Sequence, residues 1–188
     1  MPRQAPLIRD AAPEDAAELL ELWAAMVKHG VDSPRAQEDA QRALANLAAD
    51  PDTRLLLAEA EGRIVATMYL SRGPISPLAL ETVVHTSFLM VLPQFRRHGY
   101  GHALMEAALT WAEEKGITEV TAVTDGNRET NRFFARLGLT TLGTVRHTSS
   151  VGLRKKLSRE RAGAGGSNRH LVQLLAQRRS MRRRQNSL

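Results

Sequence analysis

Cysteine is absent from this chain of 188 residues. That excludes disulfides, thiolate metal ligands and a covalent acyl-cysteine intermediate, and it suits a reducing compartment. Aromatic residues make up only 4% of the sequence, so a core has to be built from Leu, Val, Ile and Ala; the 43% apolar content is enough for one. No run approaches the ~18 consecutive apolar residues of a membrane span. Met1 to Asp10 holds no long apolar stretch of signal-peptide type. A cytoplasmic protein without membrane contact is therefore expected, with one domain rather than two at this length.

Acidic residues are also scarce toward the C-terminus, which locates the net charge of +6. From Ser158 onward there are eight arginines, no lysine and one acid, Glu160, leaving 18 basic against 19 acidic residues in Met1 to Leu157. A folded domain over 1–157 and a basic Arg-rich tail over 158–188 are expected. Ala162 to Gly166 reads as linker, and Asn168 to Arg184 as either an Arg-rich helix or a disordered extension. Arg178, Arg179, Arg182, Arg183 and Arg184 offer phosphate contacts to a nucleic acid or an acidic partner. Without interleaved aromatics they cannot stack bases, and a solvated tail is the plainer reading.

Periodicity and punctuation give the element order. Leu7-Ile8-Arg9 is a short strand; Pro13-Glu14-Asp15 opens a helix carrying Leu19, Leu22, Trp23 and Met26 up to Gly30; Pro34 to Ala49 is a second helix. Arg54 to Ala60 and Ile64 to Leu70 flank Glu61-Gly62-Arg63 as a β-hairpin, and Val83 to Leu92 is a third long strand stopped by Pro93. Gly99 to Lys115 is a helix, Ile117 to Thr124 a strand, and Thr130 to Leu137 a short helix closed by Gly138. Leu139 to Leu157 is expected to supply one or two final strands. This order implies an α/β fold with a mixed sheet and helices on both faces.

The segment that carries chemistry is VLPQFRRHGYGHALM, Val91 to Met105. A strand stops at a proline, a basic loop follows, and two glycines one residue apart open a helix. Glycine lets the backbone pass close to an anion, and the first amides of a helix lack internal partners, so together they cradle phosphate oxygens. Arg96, Arg97 and His98 add positive charge. A P-loop would need a Gly-Lys-Ser/Thr ending, which is missing. A dinucleotide fingerprint would need a third glycine where Leu104 stands, and an early strand in front of it.

Arg96-x-x-Gly99-x-Gly101 resembles the pyrophosphate signature of the GNAT acyltransferase superfamily, preceded here as there by a strand ending Val-x-Pro. The block Asn131-Arg132-Phe133-Phe134-Ala135-Arg136-Leu137-Gly138-Leu139 is similar to that family's asparagine, aromatic pair and Leu-Gly-Phe block, and Ile8-Arg9-x-Ala11-x-x-Glu14-Asp15 is similar to its opening. The likeness covers about residues 6 to 157. It implies a mostly antiparallel sheet splayed in the middle, and acetyl transfer from acetyl-CoA to an amine acceptor, small molecule or protein, by direct attack in a ternary complex without a metal. A homodimer is one assembly open to such a domain.

The resemblance also implies residue roles. Leu89, Met90 and Val91 would lie along the pantetheine arm, with an amide of Met90 or Val91 facing the thioester carbonyl. Arg96, Arg97, His98, Gly99, Tyr100, Gly101 and His102 would surround the diphosphate. Asn131 would touch the coenzyme or else cap its helix, and Phe134 would lie beside the coenzyme. His85 falls where one branch of the family carries a glutamate base, and strand alternation groups it with Ser87, Leu89 and Val91. Phe134 stands where many members have a tyrosine that protonates the leaving thiolate. Unless Tyr100, Tyr69, His147 or water substitutes, the acid step is unassisted; a coenzyme A thiolate is stable enough to leave without it, and the alternative is an acyl-CoA-binding regulator that has lost catalysis. Trp23, His29, Asp32, Glu81 and Asp125 are acceptor-contact candidates.

Overall fold

The computed structural model describes residues 6–26, 35–124 and 126–161, which divide between two compact units, Met1–Leu142 and Gly143–Leu188. The predicted Arg-rich helix in the tail lies outside the described residues. In the first unit a strand β1 (Leu7–Asp10) leads through a 3-10 turn at Pro13–Asp15 into α1 (Ala16–Met26). Then come α2 (Ala36–Ala49), β2 (Thr53–Ala60), β3 (Arg63–Pro74) and β4 (Thr82–Val91). After a 3-10 turn at Pro93–Phe95 follow α3 (Tyr100–Glu114), β5 (Val120–Ala122) and α4 (Arg128–Arg136).

The five strands form one sheet in chain order, antiparallel from β1 to β4 and parallel between β4 and β5. Its hairpin is tight because Glu61 and Gly62 both take positive φ, 54° and 73°, which matches the twist of the flanking strands. Alternation then sorts the apolar residues onto two faces. Leu56, Ala58, Met68, Leu70 and Val84 meet Leu104, Ala108 and Trp111 of α3 on one face. Leu55, Leu57, Ile64 and Met90 meet Leu19 and Leu22 of α1 and Leu44 of α2 on the other. Helices therefore cover both faces of a mixed, open sheet.

Polar contacts fix how the first helix enters. Arg9 of β1 makes a paired hydrogen bond to both carboxylate oxygens of Asp15 at 2.7 Å, and its Nε donates to Glu59 of β2 at 2.6 Å. The Ala12 N–H also donates to Asp15. On the opposite face, the guanidinium groups of Arg54 and Arg72 lie 5.8 and 5.6 Å from the Trp111 ring, a double cation–π contact.

One expectation fails. Among the described residues no strand follows β5: residues 139–149 form no regular element, and residues 150–161 are helical. In the second unit Ser149 Oγ accepts from the Gly152 N–H at 3.0 Å, an N-cap that commits the next residues to helix. The run Arg154-Lys155-Lys156-Leu157 is made of good helix formers, so local capping overrides the β-propensity of Val151.

Candidate active site

The site begins with an irregularity in β4. Thr67 pairs with Met90 and Tyr69 with Ser87, so Phe88 and Leu89 together stand opposite the single residue Met68. This is a β-bulge, and Phe88 at its centre adopts φ 52°, a left-handed conformation that costs a non-glycine residue about 1–2 kcal/mol. The extra residue shifts the alternation. Leu89 and Val91 pack toward α3, whereas Met90 packs toward α1 and α2. His85 and Ser87, paired with Ser71 and Tyr69, share the Met90 face. The expected grouping of His85 with Leu89 and Val91 is thus corrected.

The bulge also settles which backbone groups are exposed along β4. Val84 N–H donates to Glu119 and Thr86 O accepts from Val123, so β5 is bonded only as far as Thr86. Past that point β4 continues alone on its β5 side, which is the splay. Leu92 N–H donates to Val65 of β3 at 2.9 Å, so by alternation Met90 also turns its N–H toward β3. Leu89 and Val91 turn theirs into the gap. The Met90 amide expected to face a thioester is therefore occupied with the sheet.

At the far end of the gap lies the glycine turn. Arg97 and Gly99 take φ 64° and 95°, which folds the chain back before α3 starts at Tyr100. The Arg96 N–H is bonded to Pro93 O, and the first bond of the helix runs from Ala103 N–H to Gly99 O. Among the described residues no protein acceptor engages the N–H groups of Arg97, His98, Gly99, Tyr100, Gly101 or His102. Six consecutive donors at a helix N-terminus make an anion cradle. Arg96 braces it: its Nε donates to Val91 O at 3.3 Å and its Nη1 to Glu129 of α4 at 3.1 Å. Arg97 is exposed and its side chain has no partner among the described residues. His98 Nδ1 bonds Arg96 O at 2.7 Å.

Gly101 serves packing as well. A Cβ there would stand 3.3 Å from the Phe133 ring, which also meets His102 edge-on at 5.1 Å. The aromatic block on α4 is thereby seated against the start of α3. Phe134 is 4% exposed and packs on Phe133 at 5.2 Å. Asn131 is not a cap; that role falls to Asn127, whose side chain accepts from Thr130 N–H at 2.8 Å. Asn131 instead accepts from Thr124 Oγ1 and donates to Gly126 O, tying the loop after β5 to α4.

His85 is half-buried, and its Nδ1 lies 2.8 Å from Thr121 Oγ1 of β5. Its Nε2 is beside Gly73, where a Cβ would stand 3.7 Å away, and has no polar partner among the described residues. Tyr100 packs on the α3 side against Phe95, so it and His85 lie on opposite faces of the sheet. Glu81 is exposed, and His29, Asp32 and Asp125 lie outside the described residues. Trp23 lines a cavity of about 340 Å³ on the His85 face, walled by Leu20, Ala43, Leu47, Tyr69 and Phe88 among others.

Sequence reasoning missed this cavity, the bulge that shapes it, and Thr121. The amphipathic Leu44 and Leu47 on α2 hint at an apolar wall, but nothing in the sequence marks Phe88 as left-handed. Among the described residues there is no cluster of metal-ligating side chains, and no helix long and apolar enough to cross a membrane.

The family model for the GNAT acetyltransferases matches residues 17–139, and the chain belongs to that family. No curated protein matches the sequence. Solved structures share the fold at low identity. A transcriptional regulator from Bacillus halodurans C-125 matches with TM-score 0.68 and 20% identity over 77% of this chain and 99% of its own. Glucosamine-6-phosphate N-acetyltransferase from Arabidopsis thaliana matches at 0.65 and 17%, over 78% and 99%. A predicted acetyltransferase from Clostridium acetobutylicum, solved with acetyl-CoA, matches at 0.62 and 14%, over 78% and 97%.

Proposed function

We propose that this chain transfers an acetyl group from acetyl-CoA to an amine by direct attack in a ternary complex. The observation that carries the reading is the row of six unpartnered N–H groups from Arg97 to His102, directly beyond the open edge of β4. The diphosphate sits in that cradle with Arg97. The pantetheine arm runs back along the gap, adding itself to β4 through the Leu89 and Val91 backbone as an extra strand would. The free edge of Asn131 reaches the coenzyme from α4, since its amide and carbonyl each retain one unused hydrogen-bonding site.

The Leu89 and Val91 N–H groups, rather than that of Met90, polarise the thioester carbonyl and take up the oxyanion as it forms. The amine arrives from the His85 face. An alkylamine of pKa ~10.4 is mostly charged at neutral pH, so His85 Nε2 takes its proton while Thr121 holds the other ring nitrogen. The carbon–nitrogen bond forms, the nitrogen gives its second excess proton to water, the carbon–sulfur bond breaks, and the coenzyme leaves as a thiolate. Phe134 has no proton to give it. Tyr69 on the same face as His85, or water, supplies one.

Phe134 is also the observation that favours a second reading, an acyl-CoA-binding regulator without turnover. Two measurements on the full chain separate them: calorimetric titration with acetyl-CoA, then thiol release over a panel of amines. Binding with turnover that falls about 100-fold or more in His85→Ala at unchanged coenzyme affinity supports the enzyme. Binding without turnover on any amine supports the regulator, and no binding sinks both.

A further inference from the structure

We infer that the acceptor is an amine with one apolar body, aryl or branched alkyl, and not a sugar, a polyamine or a phosphorylated amine. This rests on the reading of His85 and β4 just given and names the substrate class for that same site.

Three observations carry it. First, the cavity of about 340 Å³ on the His85 face is within the size range of small-molecule sites, and among the described residues none that lines it is charged. Among the described residues its only polar side-chain groups are the Tyr69 hydroxyl and the Trp23 indole N–H. A hydroxyl-rich or multiply charged acceptor would lose its hydration there and find almost nothing to replace it.

Second, Phe88 is out of place in any account based on packing alone. It is 54% exposed and held in a left-handed bulge conformation, yet its ring stands 5.8 Å from Trp23 at an interplanar angle of 39°. An apolar side chain that is both strained and half in solvent contributes little to the core. As one wall of an aromatic slot it has a use, because a third ring can pack against the pair.

Third, the cavity and the base are in register. Tyr69 pairs with Ser87 and Ser71 with His85, so the cavity floor is two residues from the histidine on one face, about 7 Å along the strand. An amino group carried one or two carbons from a ring in the slot reaches toward His85. The same apolar walls disfavour the ammonium form and so favour loss of the proton that attack requires.

The test uses the full chain saturated with coenzyme A, which checks the underlying reading first: if the coenzyme does not bind, that reading and this one both fall. Calorimetric titration then compares 2-phenylethylamine with glucosamine 6-phosphate, and thiol release from acetyl-CoA, in separate assays without added coenzyme A, compares their kcat/KM. The aryl amine should win by at least ~100-fold. Phe88→Gly relieves the positive φ while deleting the wall, so it should leave thermal stability equal or higher and weaken 2-phenylethylamine about 10-fold. Ala43→Phe, at an exposed position on α2, fills the slot and should do the same at unchanged acetyl-CoA affinity. With the coenzyme bound, preference for glucosamine 6-phosphate, or indifference of aryl-amine affinity to both variants, would overturn the assignment. So would an Ala43→Phe effect confined to octanoyl-CoA, which would give the cavity to the acyl chain.

Discussion

Asp15 joins β1, the 3-10 turn and, through Arg9, strand β2. The Arg9 guanidinium holds its carboxyl below the usual carboxylate range, helped by the Ala12 N–H and opposed by burial. A carboxylate whose pKa is lower folded than unfolded contributes stability that is fully present above the unfolded value of ~3.9 and is lost as pH falls through the folded value. The Asp15 side chain is 13% exposed, but Arg9 is considerably more so, which screens the pair. Asp15→Asn should cost about 1 kcal/mol at neutral pH and flatten the acid limb of stability below pH ~4. Urea unfolding at a series of pH values reads both; an unaltered acid limb would show that the pair does not carry it. Gly99 and Gly101 could be singled out from sequence because each meets a backbone demand that only glycine meets cheaply: positive φ at Gly99, the Phe133 ring against Gly101. Phe88 could not. Its left-handed φ is imposed by the sheet on a residue with no preference for it, so alternation ran through the bulge and assigned Leu89 and Val91 to the wrong face.

Helix α3 has two tasks: its N-terminus forms the turn of open amides and its apolar stripe forms the core. Leu104 is 0% exposed on that stripe, packed with Ala108 and Trp111 against β2, β3 and β4. Leu104→Ala should cost about 2–5 kcal/mol by opening a cavity, measured as a shift in the urea midpoint; a cost under ~1 kcal/mol would mean that α3 is not anchored there. This helix was legible because a 3.6-residue apolar period, a glycine start and a Lys-Gly stop agree. The β2–β3 hairpin and β4 were legible for the corresponding reasons of alternation and punctuation. The expected last strand was not: Thr and Val near residue 145 favour extension but stay irregular, and the Ser149 hydroxyl caps a helix from residue 150. Strand β5 is shorter than expected, Val120–Ala122, and its early end is what leaves β4 open.

Taken whole, the first unit is a sheet with a different task at each boundary. One face is closed by α3 and is structural. The other, under α1 and α2, keeps an apolar cavity beside His85. Between β4 and β5 the sheet is incomplete, and the gap leads to the amides of the glycine turn. The glycine turn was readable in the sequence because it is local, contained in Val91 to Met105. The apolar cavity was not, because it is assembled from α1, α2, β2, β3 and β4, and only the folded sheet brings those together. The proposed function requires the Arg97–His102 amides to hold a diphosphate. Amide NMR of the labelled full chain tests it most directly, titrated with coenzyme A and separately with pantetheine, which lacks the diphosphate. The resonances of Arg97 to His102 should move strongly with coenzyme A and hardly at all with pantetheine, whereas Leu89 and Val91 should move with both. Unmoved turn amides, or equal shifts with the two ligands, would contradict the account.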